Sequence, residues 1–215
     1  MNFIPLESSL DELLGGGLHI KRITQVYGPP GSGKTNIALQ ATVNAVKMGK
    51  KVVFIDTENG FSEERLSQIA GEEKQKVLEN TFLLEPSNMK EQGRMIASLT
   101  SREDIGLVIV DSMVYHYRLE MDRENPRDAS RVLGKQLSTL LELSRKNDLA
   151  VLITNQVYTS IENGRIEPVG GDTLKYGSKV VLELKNEPRR AKLVKHLFVR
   201  SGQERDFRIN GKGIL

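Results

Sequence analysis

An α/β fold is predicted, with a mostly parallel central sheet flanked by helices and antiparallel hairpin strands toward the C-terminus. Three observations carry this expectation. Short apolar runs recur at residues 23–27, 52–56, 81–84, 107–111 and 150–154. Runs such as VVFID and LVIVD do not alternate, which marks strands buried on both faces of a parallel sheet. The stretches between them have helical spacing, and after Asn155 the pattern changes to β-prone segments separated by turn residues.

Taken in order, residues 34–48 place Ile37, Ala38, Ala41, Ala45 and Met48 at helical spacing and stop at Gly49, while residues 129–147 repeat Leu at 133, 137, 140 and 141. Residues 157–171 are polar, contain Gly164, Pro168 and the pair Gly170 and Gly171, and read as a loop. Beyond it, residues 180–184, 193–199 and 206–209 are β-prone and are expected to form hairpins at one sheet edge. The 215 residues fit one domain spanning 1–215, since domains run to roughly 150 residues.

Composition narrows the function classes. With 38% hydrophobic and 27% charged residues the chain should fold, and no apolar run approaches the roughly 20 residues that span a bilayer. No membrane association and no export signal are expected. The absence of Cys excludes disulfides, zinc–thiolate clusters and thiol catalysis, and fits a cytoplasmic location. The formal net charge is only +3, but residues 175–215 carry 11 Lys/Arg against 4 Asp/Glu, leaving the remainder acidic. Such segregation makes a polyanionic partner worth considering.

The strongest local signal is Gly28, Pro29, Pro30, Gly31, Ser32, Gly33, Lys34 and Thr35, a G-x-x-x-x-G-K-T run between an expected strand and an expected helix. Glycines let successive backbone N–H groups turn toward phosphate oxygens, and the helix start adds the positive end of its dipole. Lys34 would neutralise the β and γ phosphates of ATP, and the Thr35 hydroxyl would ligate Mg²⁺. Asp111, at the end of the run LVIVD, is the second magnesium candidate; the alternative is a strand-end or helix-capping Asp. Glu58 follows the strand VVFID, where it faces the ligand crevice of an open α/β sheet and would activate water; a solvated charge is the bland alternative. Gln156 follows the strand AVLIT and reads either as a γ-phosphate sensor joined to the next loop or as a strand-end hydrogen-bonding group. Lys34, Glu58 and Gln156 form the catalytic set.

With these pieces in order, the chain resembles the RecA/RadA recombinase superfamily, most closely its short archaeal paralogues. The resemblance rests on SLDELLGGGL at 9–18 ahead of the P-loop, DTEN at 56–59, LITNQV at 152–157 and FRINGKGI at 207–214. It implies a RecA-like P-loop ATPase core and gives Lys34 and Thr35, Glu58, Asp111 and Gln156 the family's roles. The segments after Ser112 and Gln156 then become two DNA-facing loops, with Arg118, Arg123, Arg127 and Arg131 in the first and Arg165 in the second. Tyr115, His116 and Tyr117 would stack bases or pack internally. The basic cluster Arg189, Arg190, Lys192 and Lys195 reads as a DNA patch or as a solvated hairpin.

The resemblance also has gaps. The helical N-terminal DNA-binding domain of RadA and the linker with its F-x-x-A plug are expected to be absent. FVRSGQER at 198–205 replaces the longer Asp- and Pro-rich segment that caps a neighbour's ATP, and EMDRENP at 120–126 lacks the glycines of the family's first loop. The implied function is an ATP- and DNA-binding recombination and repair accessory with weak or slow hydrolysis. Its partners would be single- or double-stranded DNA, full-length RadA or other repair proteins, and a second copy as a homodimer, near the nucleoid. A KaiC-like regulatory ATPase acting on proteins without DNA stays open, as does a stand-alone recombinase.

Overall fold

The computed structural model describes residues 2–102, 104–121, 126–159 and 166–215. One eight-stranded sheet organises them. From one edge its order is Glu204–Asp206, Arg190–Lys195, Val180–Lys185, Ile23–Tyr27, Ala150–Asn155, Ile105–Asp111, Lys51–Asp56 and Thr81–Leu84. The six strands from Val180–Lys185 to Thr81–Leu84 are mutually parallel, and the two at the opposite edge are antiparallel. The α/β architecture expected from the sequence, a mostly parallel central sheet with antiparallel C-terminal strands, is therefore the architecture found.

The unbroken apolar runs have a direct cause. Phe54, Leu107, Ile109 and Leu152 enter one core, beneath the helix Lys34–Lys47, whereas Val53, Ile55, Val108, Val110 and Ile153 enter another, beneath the helix Pro126–Lys146. Because both faces are covered by helices, alternate residues need the same chemistry, and these central runs show no period of two.

Two expectations change. Residues 157–171 are not a plain loop: Val157–Thr159 pairs antiparallel with Ile166–Pro168, and a short helix follows at Gly171–Gly177. Three-residue strands carry too little alternation to announce themselves. The strand expected at 193–199 runs instead over Arg190–Lys195, and Val180–Lys185 lies inside the sheet as a parallel neighbour of Ile23–Tyr27.

The helix Lys34–Lys47 is buried and also fastens both ends of the described chain. Gln40 Nε2 donates to the carbonyls of Leu6 at 2.5 Å and Ile214 at 3.1 Å, and Gln40 Oε1 accepts from Ile214 N–H at 2.5 Å. Asn44 Nδ2 donates to Pro5 O at 3.0 Å. Replacing Gln40 by Leu keeps the volume and leaves these buried groups unpaired, so it should cost about 3 kcal/mol at roughly 1–3 kcal/mol per orphaned group. Urea denaturation followed by circular dichroism measures this, and wild-type stability in Gln40→Leu would show that the tie carries no energy.

Candidate nucleotide and nucleic-acid site

Parallel strands end together, so Tyr27, Asp56, Asp111 and Asn155 reach one edge of the sheet, with Tyr27 opposite Asn155 and Asp56 opposite Asp111. Ligands bind at that edge in open α/β sheets. The P-loop leaves the strand Ile23–Tyr27 and enters the helix Lys34–Lys47 through Gly33, whose φ of +105° excludes a side chain without strain. A Cβ there would also lie 2.8 Å from Ile209 Cδ1, and one at Gly28 would lie 2.6 Å from Leu184 O. Gly33 caps the helix without a side-chain bond, so the first-turn N–H groups stay available to an anion.

Lys34 Nζ folds back onto its own loop and donates to Gly28 O at 2.9 Å and Pro29 O at 3.0 Å. Burial pulls its ammonium below the usual lysine range, while the charges of Asp111 and Glu58 oppose that fall. The loop is braced from outside by Asn186 Nδ2 on Pro30 O and Arg189 Nη1 on Gly31 O, each at 2.9 Å. Neither brace was legible in the sequence, because both come from the turn between Val180–Lys185 and Arg190–Lys195, more than 150 residues downstream.

Asp111 is buried at the end of its strand. Thr154 donates its hydroxyl to Oδ1, and Oδ2, shielded from water, has no hydrogen-bond partner. Burial pushes the carboxyl above the usual range; the Thr154 bond and the nearby Thr35 hydroxyl, which lies outside hydrogen-bonding geometry, oppose this, and the carboxylates of Glu58 and Asp56 add to it. An orphaned carboxylate oxygen beside a P-loop hydroxyl supplies hard oxygen donors of the kind magnesium selects, so Thr35 and Asp111 fit that ion.

Glu58 is presented by a turn that Asp56 builds. The buried Asp56 carboxylate accepts from Glu58 N–H and Gly60 N–H at 3.1 Å and from Phe61 N–H at 2.7 Å. Thr57 locks the turn to the neighbouring strand end: its hydroxyl donates to Ser112 O at 2.8 Å and its N–H to Asp111 O at 2.9 Å. Gln156 Nε2 donates to Glu58 Oε1 at 2.7 Å, and Gln156 Oε1 accepts from Arg118 Nη1 at 2.5 Å. The structure thus brings Lys34, Thr35, Asp111, Glu58 and Gln156 to one edge, and adds Asp56 and Thr154, which the motif reading passed over.

The basic residues part company. Arg118 is exposed and joins the Gln156 relay; Arg127 opens the helix Pro126–Lys146; Arg123 and Arg165 lie outside the described residues. Arg190 spends its charge on Asp206 at 2.7 Å and Glu204 at 3.4 Å, and Lys195 donates to the carbonyls of Lys175 and Ser178. Lys192 lies opposite Glu204 in the antiparallel edge. His116, bonded to Pro86 O at 2.8 Å, and Tyr117, whose hydroxyl meets Ser130 Oγ at 3.2 Å, are buried packing residues, whereas Tyr115 is exposed.

A glycine-rich phosphate loop following a central strand of a mostly parallel sheet, with an antiparallel C-terminal edge, defines the class as a RecA-like P-loop core. The Rad51 family model matches residues 6–215, and the chain belongs to that family. The DNA repair and recombination protein RadB of Methanococcus maripaludis (strain C7) is 44% identical over 209 residues, covering 95% of this chain and 96% of that protein. RadB of Methanosphaera stadtmanae is 42% identical over 222 residues, covering 99% and 95%. A solved structure described as the crystal structure of the RadB recombinase matches with a TM-score of 0.84 and 39% identity over 99% of this chain and 98% of that one.

Proposed function

We propose that this chain is an ATP- and DNA-binding accessory protein of homologous recombination and repair, with slow intrinsic hydrolysis. The observation that carries the nucleotide part is the buried Asp111 carboxylate, with one oxygen unpartnered beside Thr35 of the P-loop. The Rad51 family and relatives named for DNA repair and recombination support the rest. Residues 1–215 act as one ATPase core, and among the described residues no helix is long and apolar enough to cross a membrane. Its partners are single- or double-stranded DNA and a full-length recombinase or other repair protein, with a second copy of the chain as a further option; it works in the cytoplasm beside the nucleoid.

In this mechanism the P-loop N–H groups and Lys34 hold the β and γ phosphates, exchanging the carbonyl bonds of Lys34 for charge-assisted ones. Thr35 and Asp111 hold magnesium, which when bound neutralises phosphate charge. Glu58 takes the proton of the attacking water, and Gln156 reports the state of the site to the hairpin Val157–Thr159/Ile166–Pro168.

Asp111→Asn should weaken ATP binding in the presence of Mg²⁺ far more than in its absence, while leaving the ligand-free protein no less stable, because it removes a carboxylate whose burial is unfavourable. Calorimetry with and without EDTA reads the first effect and thermal denaturation the second. Equal affinity losses with and without the metal would remove Asp111 from the magnesium site.

DNA binding is expected to be electrostatic, since no base-reading motif such as a helix-turn-helix stands out. Reversing the charge of a residue that touches phosphate should lower the slope of log affinity against log salt by about 0.7–0.9. Arg118→Glu should show that drop, and Arg190→Glu a smaller one, because Arg190 is already paired with two carboxylates. Identical slopes for wild type, Arg118→Glu, Arg190→Glu and Lys192→Glu would reject the nucleic-acid interface.

A further inference from the structure

We propose that Asn186 and Arg189 are positioning residues for the phosphate loop, holding its carbonyls outward so that its N–H groups are set for phosphate before a nucleotide arrives. The proposal rests on the ATP-binding part of the function above. The N–H and C=O of a planar trans peptide point in opposite directions, so a loop that turns N–H groups toward an anion turns its carbonyls away from it. Each of those carbonyls then needs a donor. Here four successive carbonyls accept from side chains: Gly28 O and Pro29 O from Lys34 Nζ at 2.9 and 3.0 Å, and Pro30 O and Gly31 O from Asn186 Nδ2 and Arg189 Nη1, both at 2.9 Å. Lys34 gives up its two bonds when it turns to the triphosphate. Asn186 and Arg189 can keep theirs.

The loop has little of its own with which to keep this shape. From within it is closed by Ser32 N–H on Pro29 O at 3.2 Å, and Pro29 and Pro30 have no N–H to give. Gly31 stands at a φ of +74° with no atom within 4 Å of where a Cβ would be, so packing does not pin its peptide. The turn that carries the braces is firmer. It leaves the strand Val180–Lys185, the parallel neighbour of the strand from which the loop itself departs, with Glu183 opposite Tyr27. On its far side Arg189 O accepts from Phe207 N–H at 3.2 Å, and Arg190 is tied to Asp206 and Glu204. The ion pairs that occupy Arg190 thus seat the strand start beside Arg189. Among the described residues no carboxylate lies within ion-pair distance of Arg189 itself, and its Nη1 lies 3.9 Å from where a Cβ on Gly33 would be. Its guanidinium is therefore committed to the loop.

The test is stopped-flow binding of fluorescent mant-ADP with Mg²⁺ to the full chain, for wild type, Asn186→Ala, Arg189→Ala, Arg189→Lys and the double Ala variant, with thermal denaturation of each ligand-free protein alongside. A loop that is correctly set for only part of the time binds with an affinity reduced by that fraction, and the reduction falls on association, because the bound state is reached from the set loop. Each Ala variant should therefore slow association about 2- to 10-fold, the weight of one hydrogen bond, and the double variant should slow it further, while dissociation changes less than about 2-fold. Inorganic tripolyphosphate, used as a competitor, should lose affinity by the same factor, since the braces act on the loop and not on the nucleoside. Arg189→Lys keeps a donor and should recover part of the loss. Faster dissociation with unchanged association would make Arg189 a direct ligand of the nucleotide and overturn the proposal. Wild-type association in the double variant overturns it too, as do losses that track a fall in thermal stability and that Arg189→Lys shares in full. A wild type that binds no nucleotide overturns the ATP-binding reading as well, and the first titration tells the two failures apart.

Discussion

Lys34→Ala should lower ATP affinity about 100-fold or more. Lys34 is the cation among the P-loop's own residues, it is substantially buried, and in the ligand-free chain it is kept satisfied by Gly28 O and Pro29 O. On binding, the ammonium would exchange those two carbonyls for the charge of the triphosphate. Removing one member of a desolvated charge pair costs roughly 3–5 kcal/mol, which is a factor of about 100 to several thousand in affinity. Isothermal titration of Lys34→Ala with Mg·ATP reads this, and an affinity within a few-fold of wild type would reject the P-loop assignment.

Glu58→Gln should leave Mg·ATP bound within a few-fold of wild-type affinity and reduce single-turnover hydrolysis by about 10²–10⁴, the range general-base catalysis contributes. The substitution keeps size and hydrogen bonding but not the capacity to take a proton. The turn that presents residue 58 is built by Asp56 and Thr57, neither of which is altered, so the variant should hold the wild-type backbone. An unchanged hydrolysis rate would remove Glu58 from the chemistry.

Much of this site was legible because its parts are local in sequence. A strand, a glycine-rich turn and a helix start follow one another within residues 23–35, and Asp111, Glu58 and Gln156 each stand at or just beyond the end of an apolar run. The parallel sheet then does what its pattern implies and gathers those ends at one edge. What stayed hidden depends on distance along the chain. Asn186 and Arg189 reach the P-loop from a turn that only the pairing of Val180–Lys185 with Ile23–Tyr27 brings near. Arg190 read as part of a DNA patch or of a solvated hairpin, but its carboxylate partners sit on the next strand, and no spacing rule pairs residue 190 with residues 204 and 206. The hairpin after Gln156 escaped for a different reason, its strands being three residues each.

The central claim, that the nucleotide site and a nucleic-acid surface belong to one device, is tested most directly by the affinity of the chain for fluorescent single-stranded DNA, measured by anisotropy across a salt series with and without Mg·ATP. The account predicts salt-dependent binding that tightens when the nucleotide is present, with the gain reduced in Gln156→Ala because that amide lies between Glu58 and Arg118. DNA affinity that is absent, or indifferent to both salt and nucleotide, would contradict it and leave a regulatory ATPase acting on protein partners.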